Sequence, residues 1–212
     1  VYIGNKTPDD LTAEEFPWYD KKCDGKRKGK YGEIMPQDEF IGLIQICDAF
    51  DLVKLEKTFA EETGKKLAAH ELIGAEKAAI LYKNDSTEEE LKVLVEDEHA
   101  EPLYNGGKLI GAVKGAHDID VNLSSHVMLE NLVTKASSVL SLLHLVKNTG
   151  IDASEIEYVI DCCEEACGDM NQRGGGNFAK AAAEIAGLNN ATGCDVRGFC
   201  AGPTHAFINA AS

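Results

Sequence analysis

Residues 191–210 read Ala-Thr-Gly-Cys-Asp-Val-Arg-Gly-Phe-Cys-Ala-Gly-Pro-Thr-His-Ala-Phe-Ile-Asn-Ala. Ala191 to Phe199 is a short apolar run with a polar break and predicts a strand. Ala206 to Ala210 reads as helix. Cys200 falls at the junction. A sulfur there lies near unpaired backbone N–H groups and the positive end of a helix dipole, a setting that favours thiolate over thiol. The small neighbours Ala201 and Gly202 let a substrate carbonyl approach the backbone. The combination suits acyl transfer through a thioester.

Working outward, the same style continues upstream. Ser125 is placed to cap a long helix to about Asn148, with Leu129, Leu132, Val133, Ala136, Val139, Leu140, Leu143 and Val146 on one face and Gly150 at its stop. Asp152 to Glu155 is a capped turn. Ile156 to Ile160 is β-branched and aromatic and predicts a strand. Asn177 opens a helix over Phe178 to Ala186 that Gly187 ends. Helix, strand, helix, strand, helix is α/β alternation, with the strands in one sheet.

Residues 1–116 have a different character. The first 35 are polar, and Lys21, Lys22, Lys26, Arg27, Lys28 and Lys30 form a basic patch interrupted by Gly25 and Gly29. A solvated loop is expected there, with an acidic docking partner as the other reading. From Pro36 the apolar spacing is helical through Phe40, Leu43, Ile44, Cys47 and Phe50, and Leu52, Leu55, Phe59 and Leu67 continue it. Ser86 or Thr87 caps another helix with acids in its first turn. Leu103 to Ile110 predicts a β-hairpin around Asn105-Gly106. The expected division is therefore a mainly helical accessory region, 1–116, and the first part of an α/β domain, 117–212.

The net charge of −15 gives no positive field to attract nucleic acid or an anionic membrane surface. No apolar run approaches the ~20 residues of a membrane helix. The seven cysteines (23, 47, 162, 163, 167, 194 and 200) are odd in number and fit a reducing cytoplasm better than a disulfide scaffold. The chain opens on Val1 and stops at Ser212 within a helical pattern, so it is expected to be a fragment.

Three further clusters invite chemistry. Cys162-Cys163 with Cys167 is spaced C-C-x3-C, unlike the paired C-x2-C of structural zinc. Glu164 and Glu165 between them suit harder ions, so no metal is expected. Arg173-Gly174-Gly175-Gly176 precedes a helix, as anion-binding loops do, but lacks the Lys-Ser/Thr of a P-loop and reads as a tight connection. His205 is five residues after Cys200 and not on its helical face, so it does not activate the thiol. His117 and His126 read as structural or exposed.

Several long runs carry a resemblance. Ile156 through Lys180, His117 through Glu130, Arg197 through Pro203 and Gly32 through Phe40 resemble the β subunits of component C of glycine/sarcosine/betaine reductase complexes. That family is similar to β-ketoacyl synthase III enzymes of the thiolase superfamily. The superfamily's A-C-A-G nucleophile motif is matched by Phe199-Cys200-Ala201-Gly202, with Phe199 where Ala is usual. The resemblance implies a thiolase-like fold with an appended N-terminal region, and Cys200 as the catalytic nucleophile. It implies His and Asn partners in a C-terminal half beyond this chain; neither His205 nor Asn209 replaces them. It also implies an acetyl thioester that phosphate converts to acetyl phosphate, with the component C α subunit and selenoprotein A as partners. No cofactor is called for. A homo-oligomer stays open, as does a non-catalytic scaffold that docks those partners.

Overall fold

Pro36 sets the backbone just ahead of a helix, and Ile41, Leu43 and Ile44 give that helix a buried face. A computed structural model describes residues 7–13, 26–29, 32–117, 119–163 and 177–212. The chain divides into two compact units, Val1–Gln37 and Asp38–Ser212. The first holds α1 (Pro8–Ala13) and an antiparallel pair, β1 (Lys26–Gly29) with β2 (Gly32–Ile34). This corrects the expected loop over the basic patch, at least for Lys26, Arg27 and Lys28. Gly29 and Gly32 are register partners, so a glycine expected to loosen the patch instead lies where the chain doubles back. Lys21, Lys22 and Lys30 lie outside the described residues.

The second unit opens in α2 (Gln37–Ile46), which does not continue through Leu52 and Leu55 as the spacing predicted. The Asp48 carboxylate accepts the N–H groups of Phe50 at 2.9 Å and Val53 at 2.8 Å, and Asp51 is left-handed at φ 58°. The chain is thereby turned into a strand, β3 (Val53–Leu55). β3 pairs antiparallel with β5 (Lys108–Val113), which pairs with β4 (Glu101–Asn105) in the order β3-β5-β4. The hairpin is where it was expected, but its left-handed residues are Gly106 and Gly107, at φ 58° and 82°. A third strand of this sheet went unread in the sequence.

Around it lie α3 (Lys57–Ala68), α4 (Gly74–Ala78) and α5 (Glu88–Glu96). Thr87 and Glu90 form a reciprocal capping box at the start of α5. Its Leu91, 0% exposed, packs with Ala100, Leu109 and Ala112. Leu43, Leu55, Leu67 and Leu81 are fully buried, each contributing about 1.5–3 kcal/mol of transfer free energy. Gly42 lets α2 approach α3, since a Cβ there would stand 2.5 Å from Thr63 Cγ2.

The long helix α6 (Ser125–Thr149) has Ser124 rather than Ser125 at its N-cap position, without a side-chain cap bond, and Ser125 Oγ donates to the His99 carbonyl at 2.7 Å. It ends at Gly150, as expected. α6 packs on β4 and β5 and also on α7 (Phe178–Ala186). The next sheet is a parallel pair, β6 (Tyr158–Cys163) and β7 (Thr192–Arg197). β6 starts two residues later than predicted and takes in Cys162 and Cys163, which the sequence reading left in a strand-end loop. A last helix, α8 (Gly202–Ala210), follows β7. The mixed α/β class is thus present. Among the described residues no helix is long and apolar enough to cross a membrane.

Candidate functional site

The β6–β7 pair positions the site, and its two faces differ. In the parallel register Tyr158 sits beside Thr192, Asp161 beside Asp195 and Cys162 beside Val196. Alternation then places Val159, Asp161, Gly193, Asp195 and Arg197 on one face, with Ile160, Cys162, Cys194 and Val196 on the other. The first face meets α7. Val159 packs with Ala183, Leu188 and Ala191, joined by Leu142 and Val146 of α6. A Cβ on Gly193 would stand 3.2 Å from Ala179 Cβ. The second face meets α8, whose Gly202 lies over Cys162. A helix thus packs on each face.

Charged groups lock the C-terminal ends of the two strands. Arg197 Nη1 donates to Asp161 Oδ2 at 3.2 Å, and its Nη2 lies 3.8 Å from Asp195 Oδ2. The Asp195 carboxylate also accepts the first amides of α7, Phe178 N–H at 3.0 Å and Ala179 N–H at 2.9 Å. Asn177 caps the same helix through Lys180 N–H at 2.8 Å, and its amide donates to the Gly193 carbonyl at 2.5 Å. One helix start is therefore bound to β7 by side chains, and Arg197 ties β7 in turn to β6. Asn177→Ala is expected to cost about 1–2 kcal/mol, read as a lower urea midpoint of the chain.

Cys200 lies just past this lock. After Arg197 the chain passes Gly198 and enters a 3₁₀ turn, Phe199–Ala201, that leads straight into α8. Ala201 N–H donates to the Gly198 carbonyl at 2.9 Å, and proline is present in the first turn of α8. Phe199 is left-handed at φ 48°, a conformation that bulky side chains rarely adopt and that costs about 1–3 kcal/mol. Its ring is 65% exposed, and Cys200 beside it is exposed as well. The turn presents the cysteine at the surface, at the strand-to-helix junction read from the sequence. Gly202 is buried, but a Cβ there would meet Cys162 Cβ at 3.6 Å and the Val196 carbonyl oxygen at 3.9 Å, ordinary contacts.

The other sequence candidates stand apart from the thiol's role. The His205 ring lies over Gly198, where a Cβ would stand 3.1 Å from Cδ2. His117 Nδ1 accepts the N–H groups of Ile119 at 3.1 Å and Asp120 at 3.2 Å, a turn-forming role. His126 is solvent-facing between Glu101 and Glu130, at 3.6 and 3.5 Å. A cavity of about 710 Å³ opens among His99, Lys114, His117 and Ser124, and Cys200 does not line it. Cys167, the carboxylates beside it and the Arg173–Gly176 run lie outside the described residues. The sequence reading missed the Asp161–Arg197–Asp195 lock; its signal was charge at alternating positions of two predicted strands. It also missed the strain at Phe199.

The thiols differ in environment. Cys47 is 1% exposed, and burial pushes its pKa up to about 12. A maleimide at neutral pH is expected to modify Cys200 in the native chain and Cys47 only after denaturation, as peptide mass mapping would show.

Compared with known proteins, the chain is 55% identical over 216 aligned positions to the glycine/sarcosine/betaine reductase complex component C subunit beta of Peptoclostridium acidaminophilum. The alignment covers 100% of this chain and 42% of that subunit, so the chain spans less than half of its relative's length. The chain is a homologue of that β subunit, as the sequence runs indicated. No protein-family model matches it, and no solved structure matches it.

Proposed function

We propose that the chain is part of the acyl-transfer subunit of a glycine/sarcosine/betaine reductase complex, with Cys200 carrying an acetyl group as a thioester. The observation that carries this reading is an exposed cysteine on a strained strand-to-helix turn, in a chain homologous throughout to such a subunit. In the proposed chemistry the Cys200 sulfur takes an acetyl group from selenoprotein A, whose carboxymethyl group is reduced by two electrons as the selenium and a thiol are oxidised to a selenide–sulfide and one carboxylate oxygen leaves as water. Oxygen of an attacking phosphate then adds to the thioester carbonyl. The C–S bond breaks, acetyl phosphate leaves and the thiolate is returned. In this reading the Cys200 backbone N–H serves as one donor to the oxyanion that forms at each transfer. A base or further donors come from the rest of the subunit.

The thiolase-like fold belongs to the same proposal. It is supported by a parallel pair with a helix on each face and a cysteine at the following turn. In this reading residues 117–212 are the first part of the α/β domain and 1–116 an appended region that reaches the component C α subunit. The complex works in the reducing cytoplasm. The test is mass spectrometry of the full subunit after incubation with an acetyl donor. A 42 Da adduct on the Cys200 peptide is expected; acetylation confined to other thiols would refute it.

A second reading, a scaffold without chemistry, is favoured by the apolar surface near the turn. Phe207 is 76% exposed and Ile208 58% on α8. In that reading this face docks the partner subunit and Cys200 is inert.

A further inference from the structure

Two buried side-chain amides in the second unit are treated differently. Gln45 and Asn84 bond reciprocally, Gln45 Nε2 to Asn84 Oδ1 at 2.9 Å and Asn84 Nδ2 to Gln45 Oε1 at 2.8 Å. Asn84 also accepts Leu55 N–H and donates to the Leu81 carbonyl, and Gln45 donates to the Val53 carbonyl. That pair is satisfied from both sides. Asn131 on α6 is more deeply buried, 1% exposed, yet neither its Oδ1 nor its Nδ2 has a hydrogen-bond partner among the described residues. Buried polar atoms of native proteins are rarely left this way.

Asn131 is not alone on its face. Lys135 follows one helical turn later, 6% exposed, between the equally buried Leu132, Ala136 and Val139. The nearest titratable groups are Cys47 and Asp48 just beyond α2 and Glu184 on α7. Burial outweighs these neighbours and holds the Lys135 amine below the usual lysine range. An amide with both ends open thus lies on the same buried helix face as a lysine one turn away.

The donor and acceptor inventory narrows what fits there. An occupant must accept from Asn131 Nδ2 and must donate to Asn131 Oδ1. An anion accepts but cannot donate. A metal cation cannot accept from the Asn131 Nδ2 hydrogens. Water does both, and internal water characteristically joins two to four buried polar groups. We propose that Asn131 anchors an internal hydration site on the buried face of α6, holding ordered water that completes the hydrogen bonding of this seam. The site is independent of Cys200 and of the function proposed above.

The experiment uses the whole chain. A high-resolution crystal structure is expected to show solvent within about 3.2 Å of both Asn131 Oδ1 and Nδ2. Asn131→Leu, close in volume, is expected to lower the urea midpoint by roughly 0.3–0.6 M, because the water loses its partner. In a dry site the same change removes two unsatisfied atoms and raises the midpoint. A raised midpoint, no solvent density at the amide, or density that refines as chloride would each overturn the proposal. Should the leucine variant fail to fold, the wild-type density decides.

Discussion

Cys200→Ala in the full subunit, assembled with its partner, is expected to lower acetyl phosphate formation at least about a hundredfold, the scale of losing a nucleophile. The methyl group of alanine keeps the turn and removes only the sulfur. Folding should be unaffected, because Cys200 is exposed and contributes little burial. The fall should therefore appear at unchanged thermal stability and unchanged assembly. The isolated 212-residue chain should be alkylated at Cys200 yet transfer negligible acetyl to phosphate. The turn supplies backbone N–H groups and a helix start, while His205 lies over Gly198. An assembled Cys200→Ala complex with near wild-type acetyl phosphate formation would sink the catalytic reading and leave the scaffold.

The second large effect is on stability. Gly193 is the register partner of Val159, and a Cβ on Gly193 would stand 2.1 Å from the Val159 carbonyl oxygen. That oxygen belongs to the strand backbone and cannot rotate away. Gly193→Ala must spread the parallel pair or push α7 off it, since Ala179 closes the other side at 3.2 Å. A loss of about 3 kcal/mol or more is expected, the upper range for overpacking. Gly202→Ala is the control: its closest contact, Cys162 Cβ at 3.6 Å, leaves room, and a change within about 0.5 kcal/mol is expected. Urea melts of the two variants side by side decide it. Equal stability would mean that the strands have slack which the register does not show.

What was legible in the sequence was mostly what local chemistry dictates. The cap at Asn177, the stops at Gly150 and Gly187, the cap at Ser86 or Thr87 and the hairpin near Gly106 each follow from the conformational preference of one or two residues. The misreadings share another cause. Leu52 and Leu55 kept helical spacing with α2, yet Asp48 intercepts the amides the helix would have used. β3 is three residues long and is held by pairing with β5 more than fifty positions away, which no short window contains. At the candidate site the position of Cys200 was readable from the strand-to-helix change of pattern. The left-handed backbone of Phe199 was not, because nothing local requires it of a phenylalanine. The Arg197 lock needed the register of β6 against β7 before its charges could be seen as neighbours.

That parallel register also sets a timetable for synthesis. Tyr158 pairs with Thr192, 34 positions later (192 − 158), whereas β4 meets β5 across a two-residue turn. At about 5–20 residues per second on the ribosome, β6 waits roughly two to seven seconds for its partner. The antiparallel sheet and α6 have left the ribosome by then and can already be packed together. An unpaired strand rich in apolar and thiol groups is thus presented on an otherwise assembled surface. Nascent-chain quality control would meet this protein at that stage, and the arrival of β7, with the candidate cysteine three residues past its end, covers one edge of β6.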